Sequence, residues 1–385
     1  MSFKSELIKN ILPFWLDNAI DEENGGIFTC LDKEGKIYGT DKSVWFQGRA
    51  LWAFSKAYNV IEKKEEYLKA AKAIYEFLLK CVDVDGRMYF KVTKDGKELQ
   101  KRRYYFSETF AVIGCAEYYK ATGDKNALND AEKFFEVAYE CYKGKRALDP
   151  KINPENRKAK ALSPVMIMLA TVQVLRSVEG MWDKYNPYAQ EFLNEILNGG
   201  YITDRALLEL VDADGKFMDI PDGRVVNPGH SLEAAWFILT EGLLTDNKDA
   251  IEAARKIIDI TLPLGIDKKY GGIIAFTDVN GEPPVNLEWD MKLWWPQCEA
   301  MIALRLAYLV FKDDKYNKVY EELKEYCEKY FIDKENGEWY GYLHYDNTPS
   351  TTLKGNIFKG PFHIPRFYMI MAIMDETEDI INFMK

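Results

Sequence analysis

Histidine is the scarcest reactive residue of this chain: His230, His344 and His363 are the only three in 385 positions. Neither H-E-x-x-H nor a paired C-x-x-C occurs, so the spacing resembles no zinc motif and no metal is expected. The phosphate-cradling signatures G-x-x-x-x-G-K-S/T and G-x-G-x-x-G are missing as well. Cys30, Cys81, Cys115, Cys141, Cys298 and Cys327 form no tight framework and read as thiols packed as small hydrophobes in a reducing compartment. No uncharged apolar run reaches the roughly 18 residues of a membrane helix. The N-terminus, Met1-Ser2-Phe3-Lys4-Ser5-Glu6, lacks an apolar leader core, so a soluble, cytoplasmic protein is expected. Positive charge is in the minority, 51 Lys and Arg against 61 Asp and Glu, giving −10. That balance argues against nucleic acid and anionic membranes as partners and favours a small neutral or weakly charged ligand.

What the chain does have is apolar mass, 47% hydrophobic and 14% aromatic residues, with no Pro, Gly or Ser tract to divide it. One domain over residues 1–385 is expected. Helical spacing of apolar residues predicts helices over 3–19, 43–60, 65–81, 106–122, 125–142, 161–180, 185–199, 230–244, 247–260, 289–311, 315–331 and 360–375. Long and short connections alternate, and short ones such as Thr122-Gly123-Asp124 force antiparallel neighbours, so the unit is a helical hairpin repeated six times. Gly-bounded alternating runs in the long loops, at Gly25–Gly35, Gly86–Gly96 and Gly271–Gly281, read as small β-hairpins. Terminal repeats as apolar as the middle ones favour closure over an open stack, which predicts an all-α (α/α)6 barrel with the hairpins on one face.

In such a barrel the even helices start together on the loop face, where free N–H groups and dipoles stabilise developing negative charge. The landmarks there are Trp45-Phe46-Gln47-Gly48-Arg49, Tyr105-Phe106-Ser107-Glu108, Leu162-Ser163-Pro164-Val165-Met166, Gly229-His230-Ser231-Leu232-Glu233, Trp295-Pro296-Gln297-Cys298-Glu299 and Gly360-Pro361-Phe362-His363-Ile364-Pro365-Arg366. His230 precedes Glu233 by three positions, which puts carboxylate and imidazole on one helical face. His363 lies in a frame of prolines, whereas His344, in a loop, reads as a surface residue. Arg49 and Glu299 are isolated charges in apolar helices and call for partners, Glu108 or Glu299 being candidates for Arg49. The aromatic landmarks offer flat faces to sugar rings.

Trp45-x-Gln47-Gly48-Arg49, Gly229-His230-x-x-Glu233-Ala234, Trp295-x-x-x-Glu299-Ala300 and Gly360-Pro361-Phe362-His363-x-Pro365-Arg366 stand in an order that resembles the N-acylglucosamine 2-epimerase family, whose wider group includes cellobiose 2-epimerases and aldose-ketose isomerases. The resemblance runs over nearly the whole chain. It implies inversion at C2 of a ring-opened sugar, with His230 and His363 as the acid/base pair, Arg49 stabilising the sugar oxygens and Glu299 and Glu233 orienting. Trp45, Glu108, Met166, Glu233, Trp295 and Arg366 would contact substrate. The neutral-sugar branches carry a further histidine on the sixth-helix landmark, where this chain has Ala161-Leu162-Ser163-Pro164-Val165-Met166; its absence resembles the N-acyl branch and favours N-acetylglucosamine and N-acetylmannosamine. No cofactor is required for that chemistry. Some N-acyl enzymes are activated by ATP that is not consumed, and residues 143–160 carry seven basic against two acidic side chains, a candidate polyphosphate site or a solvated loop. A homodimer is the assembly expected. The alternatives are a neutral-sugar epimerase or aldose-ketose isomerase, an inverting glycosidase using carboxylates such as Glu108 and Glu299, and a non-catalytic sugar-binding protein.

Overall fold

Which helices face inward follows from how much of their circumference is apolar or small. Helix α4 (Phe106–Thr122) is buried at every position from Ser107 to Tyr118. Its neighbour α5 (Lys125–Tyr142) buries a stripe through Ala127, Ala131, Phe134, Ala138 and Cys141 and turns charge outward. The same contrast separates even from odd helices all round the computed structural model, which describes residues 2–384. The even set is α2 (Val44–Val60), α4, α6 (Leu162–Arg176), α8 (Pro228–Thr245), α10 (Trp294–Phe311) and α12 (His363–Thr377). Each packs on the next, and α12 returns to α2 to close the ring. Outside lie α3 (Glu65–Leu78), α5, α7 (Trp182–Asn198), α9 (Lys248–Gly265) and α11 (Asp314–Tyr330), each on its preceding even helix, while α1 (residues 3–19) packs on α12. The architecture is an (α/α)6 barrel. Among the described residues no helix is long and apolar enough to cross a membrane, and all six cysteines are free thiols.

Helix α1 spans residues 3–19, with a π turn at Leu7–Ile11 between the α-helical segments Phe3–Glu6 and Leu12–Ala19. Pro13 has no amide to donate and crowds the carbonyl four residues back, so the coil widens just before it. Three short links share one device: Gly123, Asp246 and Lys312 adopt the left-handed conformation, and Asp124, Asn247 and Asp313 then cap the next helix. Helix α9 overruns the expected end at 260 because Pro263 is tolerated inside it, and α7 starts at Trp182, three residues before the expected 185. Helix α10 begins at Trp294 instead of 289, the preceding Leu287 and Trp289 being exposed on the loop.

Strands of successive long loops pair with one another. Strand β1 (Lys42–Ser43) pairs with β2 (Lys91–Val92) of the next loop, which continues to β3 (Glu98–Gln100). Likewise β4 (Ala159–Ala161) pairs with β5 (Leu210–Asp212), β6 (Val225–Val226) with β7 (Thr277–Asp278), and β8 (Lys292–Leu293) with β9 (Tyr342–Leu343), which continues to β10 (Pro349–Thr351). Of the three expected hairpins, the run at Gly86–Gly96 contributes β2 to a true hairpin; those at Gly25 and Gly271 make isolated bridges such as Ile20–Ile27 and Ile266–Ile273. Gln47 holds the first of these loops, donating to the Ile27 carbonyl and accepting from its amide, both at 2.9 Å. Gln297 treats Ile273 identically, at 2.8 Å.

Candidate active site

Arg49, Glu233 and Glu299 each occupy the sixth position of their helix, in α2, α8 and α10, so three charged groups reach inward at one depth. His363 opens α12, Arg366 follows one turn later, and His230 lies in the first turn of α8, whose cap Asn227 accepts the His230 amide at 3.1 Å. Gly229 is required here by proximity: a Cβ would come within 2.6 Å of the Trp295 ring. That indole packs against both imidazoles, its centroid 5.2 Å from that of His230 and 5.8 Å from that of His363.

His363 donates from Nδ1 to Glu299 Oε1 at 2.8 Å, which leaves Nε2 as the ring's free atom. The other oxygen of Glu299 accepts the Trp236 indole N–H at 2.8 Å. Arg366 bridges the two carboxylates, with Nη2 2.7 Å from Glu299 and 2.5 Å from Glu233. Burial, with Arg366 and Arg49 adding to it, holds the His363 pKa well below its ordinary value, so the ring is neutral at pH 7. Glu299 does not reverse this, because its charge is balanced by Arg366. Glu233, Glu299 and His363 place potential ligand atoms within 4.8 Å of one another, and the cation among them is the Arg366 guanidinium, 3.3 Å from His363 Nδ1.

His230 is displaced the other way. Burial opposes its charge, but Glu209, whose two oxygens each lie 3.1 Å from Nδ1, outweighs that cost with help from Glu233 and Glu299, and the pKa rises. The expected His230–Glu233 pairing is therefore corrected: Glu233 is turned to Arg366, and Glu209 takes its place. Nothing in the sequence marked Glu209, which sits in a loop with no helical register. Trp236 was missed too, although it follows Glu233 by three positions and shares its face.

Arg49 has no carboxylate within ion-pair distance among the described residues, contrary to the expected pairing with Glu108 or Glu299. Its guanidinium carbon lies 3.9 Å from the Phe110 ring centroid and 4.8 Å from that of Phe362, and Nε has no partner. Burial pushes its pKa down to about 9, with Glu233 and Glu299 opposing, so it stays charged at neutral pH. Trp45, Arg49, Met166, His230, Glu233 and Arg366 all line one cavity of about 330 Å³; Glu299, His363 and Trp295 join them through the contacts above.

Glu108 is not on that wall. Fully buried, it accepts Arg87 Nε at 2.7 Å and the Met88 amide at 2.9 Å, the same hold on a loop that Gln47 and Gln297 provide. The structure thus takes it out of substrate contact and removes it as half of a glycosidase pair. His344 is exposed on its turn.

A neutral imidazole, a second imidazole whose pKa Glu209 raises and a cation without a carboxylate partner surround a cavity walled by flat rings, and the relatives place this barrel among carbohydrate isomerases and epimerases. The particular family follows from the sequence: the N-acylglucosamine 2-epimerase family pattern matches residues 26–363, and the chain belongs to that family. N-acylglucosamine 2-epimerase of Bos taurus is 35% identical over 371 residues, covering 93% of this chain and 87% of its own length. Cellobiose 2-epimerase of Ruminococcus albus is 28% identical and covers 98% of both chains. The solved cellobiose 2-epimerase of Bacillus thermoamylovorans superimposes with a TM-score of 0.83 at 25% identity, over 97% of this chain and 98% of the other.

Proposed function

We propose that the protein interconverts N-acetyl-D-glucosamine and N-acetyl-D-mannosamine by moving one proton off and onto C2 of the ring-opened sugar. The observation that carries this reading is the opposed displacement of the two histidines, which supplies a base and an acid at the same pH. His363 Nε2 removes the C2 proton, and the electrons of the C2–H bond move toward C1 to give an enolate whose oxygen is met by the charge of Arg49. His230 then returns a proton from Nε2 to the opposite face of C2; in the reverse direction the two roles exchange. Glu299 fixes the His363 tautomer, Arg366 and Glu233 hold Glu299 in place, and Trp45 and Trp295 supply apolar faces for the carbon skeleton.

The N-acyl choice rests on α6, where Met166, Ile167 and Ala170 give the cavity an apolar wall suited to an acetyl methyl. A C2 nitrogen also leaves no C2 hydroxyl to become a ketone, so an enolate from this substrate leads to epimerisation. The neutral-sugar reading, supported by the cellobiose 2-epimerase relatives, shares the enolate and is separated by substrate: exchange of the C2 hydrogen of mannose but not of N-acetylmannosamine would establish it.

The proton transfers need only these side chains. For ATP as an activator the candidate cleft, about 950 Å³, is lined by Lys151, Arg157, Lys158 and Lys160. Lys143, Arg146 and Lys160 are engaged by Glu191, Glu140 and Glu195, so Lys151, Arg157 and Lys158 would hold a polyphosphate. A rise in melting temperature with ATP that Lys158→Glu removes supports that site; no rise removes it.

A further inference from the structure

Glu209 stands just before β5, and its carbonyl accepts the Leu162 amide at 3.0 Å, so the β4–β5 pairing fixes its backbone against the start of α6. Its carboxylate then reaches the first turn of α8, where both oxygens lie at the same 3.1 Å from His230 Nδ1. The side chain is partly shielded, 19% exposed beside a histidine at 28%. No other ion pair engages it among the described residues. The carboxylates of Glu233 and Glu299 are both taken up by Arg366.

We propose that Glu209 is the positioning residue of His230: its bond to Nδ1 fixes the ring orientation and makes Nε2 the atom that exchanges a proton with C2. In the imidazolium, Nδ1–H stays on Glu209 while Nε2–H is delivered; the new C2–H bond takes that proton and the ring is left neutral with its lone pair on Nε2. No further reactant enters. Around His230 the titratable and charged groups are Glu209 from the loop, Glu233 on its own helix, Glu299 on α10, Arg49 on α2, and Arg366 and the neutral His363 on α12. Of these carboxylates, Glu209 alone has no cation as its partner, and it makes the direct bond. The step rests on the proposed C2 chemistry, but the bond can be read without it.

With three histidines in the chain, nitrogen-15 NMR of the imidazoles resolves each titration directly, and Glu209→Gln tests the bond while keeping shape. The titration midpoint of His230 is expected to fall by about 1–3 units in Glu209→Gln, and the alkaline limb of kcat/KM for N-acetylmannosamine to fall with it, with KM within about two-fold and the His363 titration in place. Glu209→Asp is expected to restore most of the shift. An unmoved His230 titration overturns the proposal, whether or not turnover falls, because lost turnover alone is what a merely structural role gives. A moved titration with an unmoved alkaline limb overturns His230 as the group that Glu209 serves in catalysis. If no sugar is turned over, the NMR arm still decides the bond, so failure of the substrate reading and failure of this one are distinguishable.

Discussion

A buried guanidinium without a carboxylate is costly, and Arg49 carries that cost one step from the histidines. Aromatic faces at 3.9 and 4.8 Å offset part of it, and a substrate oxygen would supply the missing partner. Arg49→Lys keeps a charge but loses the planar fork; kcat is expected to drop by about 10²–10³-fold with an unchanged circular dichroism spectrum, and near-normal kcat would remove Arg49 from catalysis. Replacing His230 or His363 with Ala is expected to cost about 10²–10⁴-fold each in C2 exchange. The pH dependence follows from the two displacements. Activity needs His363 neutral, so it falls as pH drops through a pKa held below the ordinary ~6.5; it needs His230 protonated, so it falls as pH rises through one held above ~6.5. The profile of kcat/KM is therefore a bell with its plateau around that value, and a profile rising steadily from pH 5 to 9 would contradict the assignment.

Among the elements, the helix starts carry two jobs that look alike in the sequence. Trp45-x-Gln47-Gly48-Arg49 mixes a loop clamp, Gln47, with a catalytic candidate, Arg49, and Trp295-x-Gln297-x-Glu299 does the same. Glu108 belongs to the clamps. Glu108→Gln is expected to lower stability by about 1–3 kcal/mol, measured by urea denaturation, with KM and the pH profile unchanged; an altered KM would return it to the substrate. Helix number, alternation and inward faces were legible because apolar periodicity encodes them locally. The pairing of strands between successive loops was not, since two-residue strands such as Lys42–Ser43 and Lys91–Val92 have no periodicity of their own and form where ring closure brings the loops together. For the same reason the site was half legible: the charged residues on helices in register were found, whereas Glu209, placed by β4–β5, was not.

At the scale of the molecule, closure of the ring is what makes the site, because α12 brings His363 and Arg366 back to the Arg49 of α2. The far end of the cavity is closed by the last turn, Ile381–Met384, whose Phe383 packs on Trp52 and lies 4.7 Å from Lys56 Nζ. Phe383 is 3% exposed, so Phe383→Ala is expected to cost about 3–5 kcal/mol by calorimetry or denaturant, with the bell-shaped pH profile retained because the histidines sit at the opposite end. A loss below 1 kcal/mol would mean the floor collapses freely onto the cavity. The most direct measurement is proton NMR of N-acetylmannosamine incubated with the protein in heavy water. The expected result is disappearance of the C2 proton signal together with growth of N-acetylglucosamine deuterated at C2, both lost in His363→Ala. Exchange confined to mannose, or none with either sugar, would contradict the proposed reaction.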